Sequence, residues 1–172
     1  MPYVRPIEAD VEAWRNRLSA EKHRRIGIAW AGDPRHKRDA TRSIVLCNFA
    51  PLAEVKDAAF YSLQKGEGAK HLPPVGVTIT DFTSEFNDFA DTAAFIANLD
   101  LVIAVDTSVA HLAGAIGKPV WVLLPFSPDW RWLLDRPDSP WYPTMRLFRQ
   151  KTYGDWTDVI RGVTDKLKSG AW

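Results

Sequence analysis

The apolar residues of this chain gather in short runs that are separated by polar or amphipathic stretches. Two of these runs, Leu101–Val105 and Val120–Leu124, are rich in β-branched residues or leucine and are predicted to be buried strands. The small-residue segment Val109–Ile116 between them is predicted to be a helix, which the sequence Gly-Lys-Pro ends. Comparable runs predict four more strands: Arg25–Ala31, Ala58–Leu63, Val75–Thr80 and Met145–Phe148.

Apolar residues at helical spacing predict the helices that connect these strands. Helices are expected over Ile7–Leu18, within an opening segment of residues 1–20, over Asp88–Leu99, and over residues 154–168 as a closing helix. Phe89 falls on the apolar face of the second of these, and Asn48 is expected to cap a further short helix through Val55. The alternation predicts an α/β fold, a doubly wound parallel sheet of five to six strands in the order 3-2-1-4-5(-6).

Length, charge and cysteine content narrow the class of protein. The 172 residues are the size of one domain, so residues 1–172 are treated as a single domain. The formal net charge of +1 gives no reason to expect a nucleic-acid partner. Cys47 is the one cysteine, which is typical of a reducing compartment, and we expect a cytoplasmic protein. No apolar stretch approaches the ~20 residues of a membrane span.

A polar turn follows the buried run Leu101–Val105. It consists of Asp106, Thr107 and Ser108, and the predicted helix that comes next carries His111. In parallel α/β sheets, ligands bind beyond the carboxyl ends of the strands and against helix N-termini. The two hydroxyls and the free backbone N–H groups suit a phosphate, although the same residues would also serve as an ordinary helix cap.

Two further polar loops follow predicted strands and are expected at the same edge of the sheet. In the first, Gly32 permits a tight turn, and four residues supply positive charge that suits a diphosphate: His36, Lys37, Arg38 and Arg42. In the second, Gln64 and Lys65 leave the strand end beside two glycines. The alternative for the first loop is a solvated basic loop, and the alternative for the second is a plain turn. Because three polar loops are expected at the same edge of the sheet, we predict that they form one groove.

Several other chemistries lack their sequence signatures. The chain contains no G-x-G-x-x-G dinucleotide motif, no G-x-x-x-x-G-K-[ST] phosphate loop and no G-x-S-x-G nucleophile elbow. The four histidines have no metal-ligand spacing with Cys47 or with one another. We therefore predict neither a bound metal nor a cofactor.

Four segments of the chain resemble one known family. The chain resembles the C-terminal part of bacterial tetratricopeptide-repeat proteins, a part that is similar to the heptosyltransferase-like glycosyltransferases of family 9. The resemblance covers residues 25–167 and is most specific in the segment DTSVAH and in the tryptophan-rich loop. It rests on RIGIAWAGDPRHKRDATRSI, FYSLQKGEG, DFADTAAFIANLDLVIAVDTSVAHLAGAIGKPVWVLLP and DWRWLLDRPDSPWYPTMRLFRQ.

This resemblance implies that the chain is the C-terminal, Rossmann-like half of a two-domain glycosyltransferase of the GT-B type, the half that binds a nucleoside diphosphate sugar. By the resemblance, the sugar and diphosphate are contacted by Asp106, Thr107, Ser108 and His111. Gly32 and Lys37 match the loop that reaches the phosphates, while Gln64 and Lys65 match the strand end that contacts the nucleoside.

The chain departs from the family in two respects. Family members often carry an acidic residue where this chain has Gln64 and Lys65, which puts adenine specificity in doubt. The candidate general base of the family lies in an N-terminal domain that this chain lacks, so its catalytic residues are unknown. We expect no turnover without an N-terminal catalytic domain. An N-terminal glycosyltransferase domain or a tetratricopeptide-repeat domain is the expected partner.

Two expectations about partners remain open. A domain separated from its other half should expose apolar surface, which a homo-oligomer would cover. The alternative to a donor-binding domain is a non-catalytic module for ligand sensing or protein interaction that retains the glycosyltransferase fold.

Overall fold

A computed structural model describes residues 2–170 of the chain. Its centre is a parallel sheet of six strands in the order β3-β2-β1-β4-β5-β6, which confirms the predicted fold class and strand order. The strands are β1 Arg24–Ala29, β2 Ala58–Ser62, β3 Ile79–Asp81, β4 Leu101–Val105, β5 Val120–Leu124 and β6 Met145–Arg149.

Helices cover both faces of this sheet. The α-helices are α1 Glu8–Arg17, α2 Asp39–Arg42, α3 Phe89–Ala97, α4 Ser108–Ile116 and α5 Thr157–Ser169. Four 3-10 helices span Leu46–Glu54, Gly66–Lys70, Thr83–Glu85 and Trp130–Trp132. On one face, α5 packs with the first 3-10 helix, and on the other α3 and α4 lie against the sheet with α1 outside α3. Within residues 2–170, every helix is too short or too polar to cross a lipid bilayer.

The core is centred on β4, which lies between β1 and β5. All five of its residues are buried, and successive side chains point to opposite faces of the sheet. Ile103 belongs to the cluster on the α5 side, and Val102 belongs to the cluster beneath α3 and α4. Full burial of each such side chain contributes about 1.5–3 kcal/mol to folding, which explains why this run was predicted to its last residue.

The helix that was predicted to start at Asn48 begins earlier and is of a different type. It is a 3-10 helix from Leu46, and the flanking residue Val45 provides no side-chain cap. A 3-10 helix has three residues per turn, so Leu46, Phe49 and Leu52 share one face, and all three are buried. The apolar spacing of three therefore decides the start of the helix, and the prediction of Asn48 as its cap was wrong.

The edge strand β3 is shorter than the predicted Val75–Thr80. It has only three residues, and Val75 lies outside it with a 99% exposed side chain. Two prolines precede Val75 and Gly76 follows with a φ of +83°, a conformation that interrupts an extended strand. The strand therefore starts at Ile79, where the chain reaches β2.

Three smaller differences concern helices. The loop after β1 contains a single helical turn, α2, that was not predicted. Phe89 was expected to face inward, but as the first residue of α3 it is 59% exposed. The closing helix α5 begins at Thr157 rather than residue 154, because the preceding chain forms a turn through Gly154, whose φ is +76°.

Candidate functional site

Two hollows lie side by side at the carboxyl edge of the sheet. The first has a volume of about 420 Å³ and the second about 790 Å³. Three side chains line both hollows: Arg42, Thr107 and Ser108. Of the other predicted site residues, Asp106 and His111 line the first hollow, whereas Gly32, Gln64 and Lys65 line the second. The structure thus brings the residues of three loops to one edge of the sheet.

The wall between the two hollows is the start of helix α4. Thr107 precedes the helix in an extended conformation, with a φ of −139°, and its side chain makes no capping hydrogen bond. The first N–H groups of a helix have no partner inside it and carry the positive end of its dipole. Within residues 2–170, the buried hydroxyl of Thr107 also lacks a hydrogen-bond partner. This wall therefore presents unsatisfied donors to both hollows.

Asp106 is a carboxylate beside this wall, with a side chain that is 14% exposed. Its backbone oxygen accepts a hydrogen bond from the guanidinium of Arg42 at 2.8 Å. Burial alone would raise the pKa of Asp106, but His111, the indole dipole of Trp132 and the charge of Arg42 outweigh burial and lower the pKa. The Trp132 N–H itself makes no hydrogen bond of normal geometry within the described chain. Asp106 is therefore ionised at neutral pH.

His111 lies one turn into α4 and is in contact with three side chains. Its Nε2 is 3.7 Å from Oδ1 of Asp106, and its Nδ1 is 3.2 Å from the hydroxyl of Tyr142. The indole of Trp132, which is fully buried, stacks on the imidazole with 5.3 Å between ring centroids. The histidine is thus fixed at the boundary of the first hollow and remains about one-third exposed.

Gly32 occupies a position where the backbone must approach a salt bridge. A Cβ at this residue would lie 2.3 Å from Oδ1 of Asp39 and 2.5 Å from a guanidinium nitrogen of Arg42. The N–H of Gly32 donates to the hydroxyl of Ser43 at 2.9 Å, and that hydroxyl donates to Asp39. Close packing, rather than a left-handed turn, therefore explains this glycine, and its N–H is already bonded within the protein.

The positive charge of the first hollow comes from arginines. Three arginines line it together with two aspartates: Arg38, Arg42, Arg131, Asp106 and Asp129. Lys37 is exposed and is not among the lining residues of either hollow. Arg131 was missed as a site residue, although its loop follows β5 and therefore belongs to the same edge of the sheet.

Gln64 is buried, and its side-chain amide forms hydrogen bonds with the backbone of the protein. Its Oε1 accepts from the N–H groups of Trp30 and Ala31 at 2.9 and 2.8 Å. Its Nε2 donates to the carbonyls of Ala31 and Lys65 at 3.0 and 2.9 Å. The amide therefore ties the ends of β1 and β2 together. Lys65 is exposed, and its ammonium donates to the carbonyl of Phe86.

The second hollow has an apolar side that was not predicted from the sequence. It is formed by Leu63, Phe86, Phe89 and Val109. Phe89 stands at the start of α3 and is exposed, so its ring is available to a ligand. The sequence signal that could have identified it is an aromatic residue directly after Asp88, the residue that caps α3. Within residues 2–170, no three histidine, cysteine, aspartate or glutamate side chains are grouped to hold a metal ion.

Comparisons with known proteins agree on the fold. No protein-family model matches the chain. Protein FlbA of Caulobacter vibrioides is 26% identical over 182 residues, which cover 98% of this chain and 29% of FlbA. The structure of ADP-heptose LPS heptosyltransferase II from E. coli is similar, with a TM-score of 0.68 and 16% identity over 98% of this chain and 53% of that enzyme.

A second solved structure points the same way. The glycosyl transferase of family 9 from Veillonella parvula DSM 2008 aligns with a TM-score of 0.54 and 13% identity, over 86% of this chain and 42% of that protein. The two structural neighbours are thus a heptosyltransferase and a glycosyl transferase of family 9, and this chain has a glycosyltransferase-like fold. It spans about half or less of the length of each of these three proteins.

Proposed function

We propose that this chain is the domain of a glycosyltransferase that binds a nucleoside diphosphate sugar. The observation that carries the proposal is the wall shared by the two hollows, where the N-terminus of α4 and the unpartnered hydroxyl of Thr107 meet the guanidinium of Arg42. Backbone N–H groups, a helix dipole and a guanidinium are the groups that bind phosphate in proteins. The likeness to half of E. coli heptosyltransferase II supports the same reading.

The two hollows differ in a way that suits the two ends of such a ligand. The second hollow is larger and has an apolar side with the exposed ring of Phe89, which suits a nucleoside. The first hollow is polar and carries arginines, Asp106 and His111, which suit the hydroxyls of a sugar. The diphosphate then lies across the shared wall at Thr107 and Ser108.

Such a site would also contribute to the chemistry of sugar transfer. The anomeric carbon becomes cation-like while the diphosphate leaves with additional negative charge. Helix α4 and Arg42 would stabilise that charge, and Ser108 would add a hydroxyl at the first position of the helix. The positive end of the helix is fixed in the fold, so it needs no reorganisation during the reaction.

The acceptor site and the general base are proposed to lie outside this chain. Since the chain matches 53% of heptosyltransferase II, a second domain would complete the cleft. An N-terminal glycosyltransferase domain or a tetratricopeptide-repeat domain is the partner that we expect. We propose a cytoplasmic location, because a chain with one cysteine cannot form an internal disulfide and is typical of a reducing compartment.

One observation favours the second candidate, a non-catalytic ligand-sensing or interaction module. Polar groups that the resemblance assigns to ligand contacts are bonded inside the fold, namely the N–H of Gly32 and the amide of Gln64. A domain that had lost its ligand would keep such internal bonds. The two candidates differ in whether transfer occurs when the other half of the enzyme is supplied.

Calorimetric titration tests the proposal. Uridine, adenosine and guanosine diphosphate are titrated separately, and we expect one to bind with a Kd of about 0.1–1 mM, since this chain would supply only one side of the proposed cleft. Failure of all three at several millimolar would contradict nucleotide binding. Hydrolysis or transfer of the matching nucleotide sugar after addition of the partner domain then separates the enzyme from the non-catalytic module.

A further inference from the structure

Tyr142 lies in the loop that precedes β6 and contacts His111, which belongs to the segment 106–111 at the start of α4. Its hydroxyl lies 3.2 Å from Nδ1 of His111, although the two residues are 31 positions apart in the sequence. The phenol ring fits against α4 because residue 114 is glycine, where a Cβ would lie 2.7 Å from Cγ and Cδ1 of Tyr142. Gly114 is three residues after His111 and thus on the same face of the helix. The helix surface therefore has a place for this ring beside the imidazole.

A second tyrosine continues the chain of hydrogen bonds. The hydroxyl of Tyr3 lies 3.2 Å from that of Tyr142, and the two rings stack with 6.5 Å between centroids. The backbone N–H of Tyr3 donates to the carbonyl of Ala115 at 3.0 Å, which holds the N-terminal segment on α4. A phenol oxygen can accept one hydrogen bond while its own proton is donated to another partner. Tyr142 can therefore accept from Tyr3 and donate to His111 at once.

Burial keeps the proton of Tyr142 in place. The loss of water around the phenol raises the pKa of Tyr142 to about 12. The phenol is thus protonated at neutral pH and remains a donor. On the other side of the imidazole, the ionised carboxylate of Asp106 can only act as a hydrogen-bond acceptor.

These contacts favour one tautomer of the neutral histidine. With the proton on Nε2, that nitrogen points an N–H at Asp106 and Nδ1 accepts from Tyr142. With the proton on Nδ1, the lone pair of Nε2 would face a carboxylate, which is repulsive. The stacked indole of Trp132 prevents the ring from leaving this orientation.

We propose that Tyr142 is a positioning residue that keeps the imidazole proton on Nε2 of His111, so that His111 presents an N–H donor to the first hollow. The role of this N–H in binding rests on the proposed function. In that function, an oxygen of the sugar or diphosphate would accept a hydrogen bond from Nε2–H of His111, alongside the carboxylate of Asp106. The histidine then acts as a fixed donor. It does not act as the general base, since its one lone pair is occupied by Tyr142.

The tautomer is measured by NMR of the imidazole nitrogens in the full chain without ligand. At about pH 9 a free imidazole is neutral, and the ¹⁵N shifts then distinguish the protonated from the unprotonated nitrogen. The signals of His111 are assigned by their loss in His111→Gln. We expect the proton on Nε2 in the unmodified protein. In Tyr142→Phe, which keeps the ring but removes the hydroxyl, Asp106 still disfavours the other tautomer, so we expect Nε2 to remain the major site of protonation and the Nδ1-protonated fraction to rise measurably.

Tyr3→Phe is the matched control, because it removes the distant hydroxyl and leaves the bond between Tyr142 and His111 intact. It should preserve the Nε2 tautomer. A proton on Nδ1 in the unmodified protein would overturn the proposal, and so would unchanged nitrogen shifts in Tyr142→Phe. If Tyr142→Phe does not fold, the spectrum of the unmodified protein alone decides.

A second readout connects the tautomer to binding. Tyr142→Phe should weaken the binding of the best nucleoside diphosphate or its sugar about threefold to tenfold, the effect of one hydrogen bond, whereas Tyr3→Phe should leave it nearly unchanged. Equal losses in both variants would overturn the positioning role. If no nucleotide binds the unmodified protein, the proposed function fails, while the nitrogen shifts still decide whether Tyr142 sets the tautomer.

Discussion

The side-chain amide of Gln64 forms two hydrogen bonds with the backbone of Ala31. Its Oε1 accepts from the N–H at 2.8 Å, and its Nε2 donates to the carbonyl at 3.0 Å. Because Ala31 follows β1 and Gln64 follows the neighbouring strand β2, this pair closes the gap between two loops at the edge of the second hollow. The shape of that hollow therefore depends on a residue that was predicted to contact a ligand.

Gln64→Ala is expected to lower the free energy of unfolding by about 2–4 kcal/mol, because it leaves backbone groups of Trp30 and Ala31 unpaired. Denaturation in urea measures the change. Lys65→Ala, an exposed substitution at the next residue, is the control and should cost less than about 1 kcal/mol. Equal losses in the two variants would contradict the structural role of the amide.

Gly114→Ala should destabilise the protein by about 1–3 kcal/mol through overpacking. The new methyl would lie 2.6 Å from Cε of Met145 and 2.7 Å from the ring of Tyr142. Gly162→Ala is a matched control, since this glycine lies within α5 and a Cβ there meets nothing within 4 Å. That change should stabilise by about 0.5–1 kcal/mol from helix propensity, and thermal unfolding that gave both variants the same sign would refute this account.

The carboxylate of Asp106 should make stability depend on pH in acid. Its folded-state pKa lies below the ordinary value of 3.8, so its contribution is present above pH 3.8 and is lost as the pH falls through the folded-state pKa. We expect Asp106→Asn to have a lower free energy of unfolding than the unmodified protein at neutral pH. The difference in free energy between the two proteins should narrow as the pH falls below 3.8. Denaturation at several pH values tests this, with Asp165→Asn, at an exposed position of α5, as the control. A constant difference across the acid range would contradict the lowered pKa.

Phe89→Ala should weaken the binding of a nucleoside diphosphate about fivefold to 150-fold, the value of one base stacked on an aromatic ring. It should leave the binding of inorganic diphosphate unchanged, because the ring lines only the second hollow. The ring is 59% exposed, so stability should change by less than about 1 kcal/mol. Equal weakening of both ligands in calorimetry would argue against a nucleoside in the second hollow.

The sequence was most informative where burial alone decides the structure. The strands β4 and β5 were predicted to the residue, since all of their side chains are buried and apolar runs of that length have few alternatives. The edge strand β3 was misjudged, because its pattern competes with two prolines and with Gly76. Strand order followed from the alternation of elements and from the handedness of their connections.

The candidate site was predictable in its place but not in its contacts. Residues after β1, β2 and β4 do meet at one edge, as the direction of parallel strands requires. The hydrogen bond between Gln64 and Ala31 joins residues that are 33 positions apart in the sequence. The contact between Tyr142 and His111 joins residues that are 31 positions apart, and both depend on how the side chains pack. No local pattern encodes such distances, so these contacts required the folded structure.

Thr107→Val removes the unpartnered hydroxyl from the shared wall while keeping the branched shape of the side chain. Because that hydroxyl is buried without a partner in the described chain, its loss should change the free energy of unfolding by no more than about 0.5 kcal/mol, or should raise it. Nucleotide binding should weaken about threefold to tenfold. A loss of stability with unchanged binding would identify Thr107 as a structural cap only.

The most direct test of binding to a nucleoside diphosphate sugar is an NMR titration of the backbone amides with uridine, adenosine and guanosine diphosphate. The account predicts that one of them causes saturable shifts with a Kd of about 0.1–1 mM. The largest shifts should fall on residues 106–111 and on the loop after β1. Thr107→Val should weaken the binding of that nucleotide. Absence of saturable shifts with all three at about 5 mM, or shifts confined to the opposite edge of the sheet around Lys118, would contradict it.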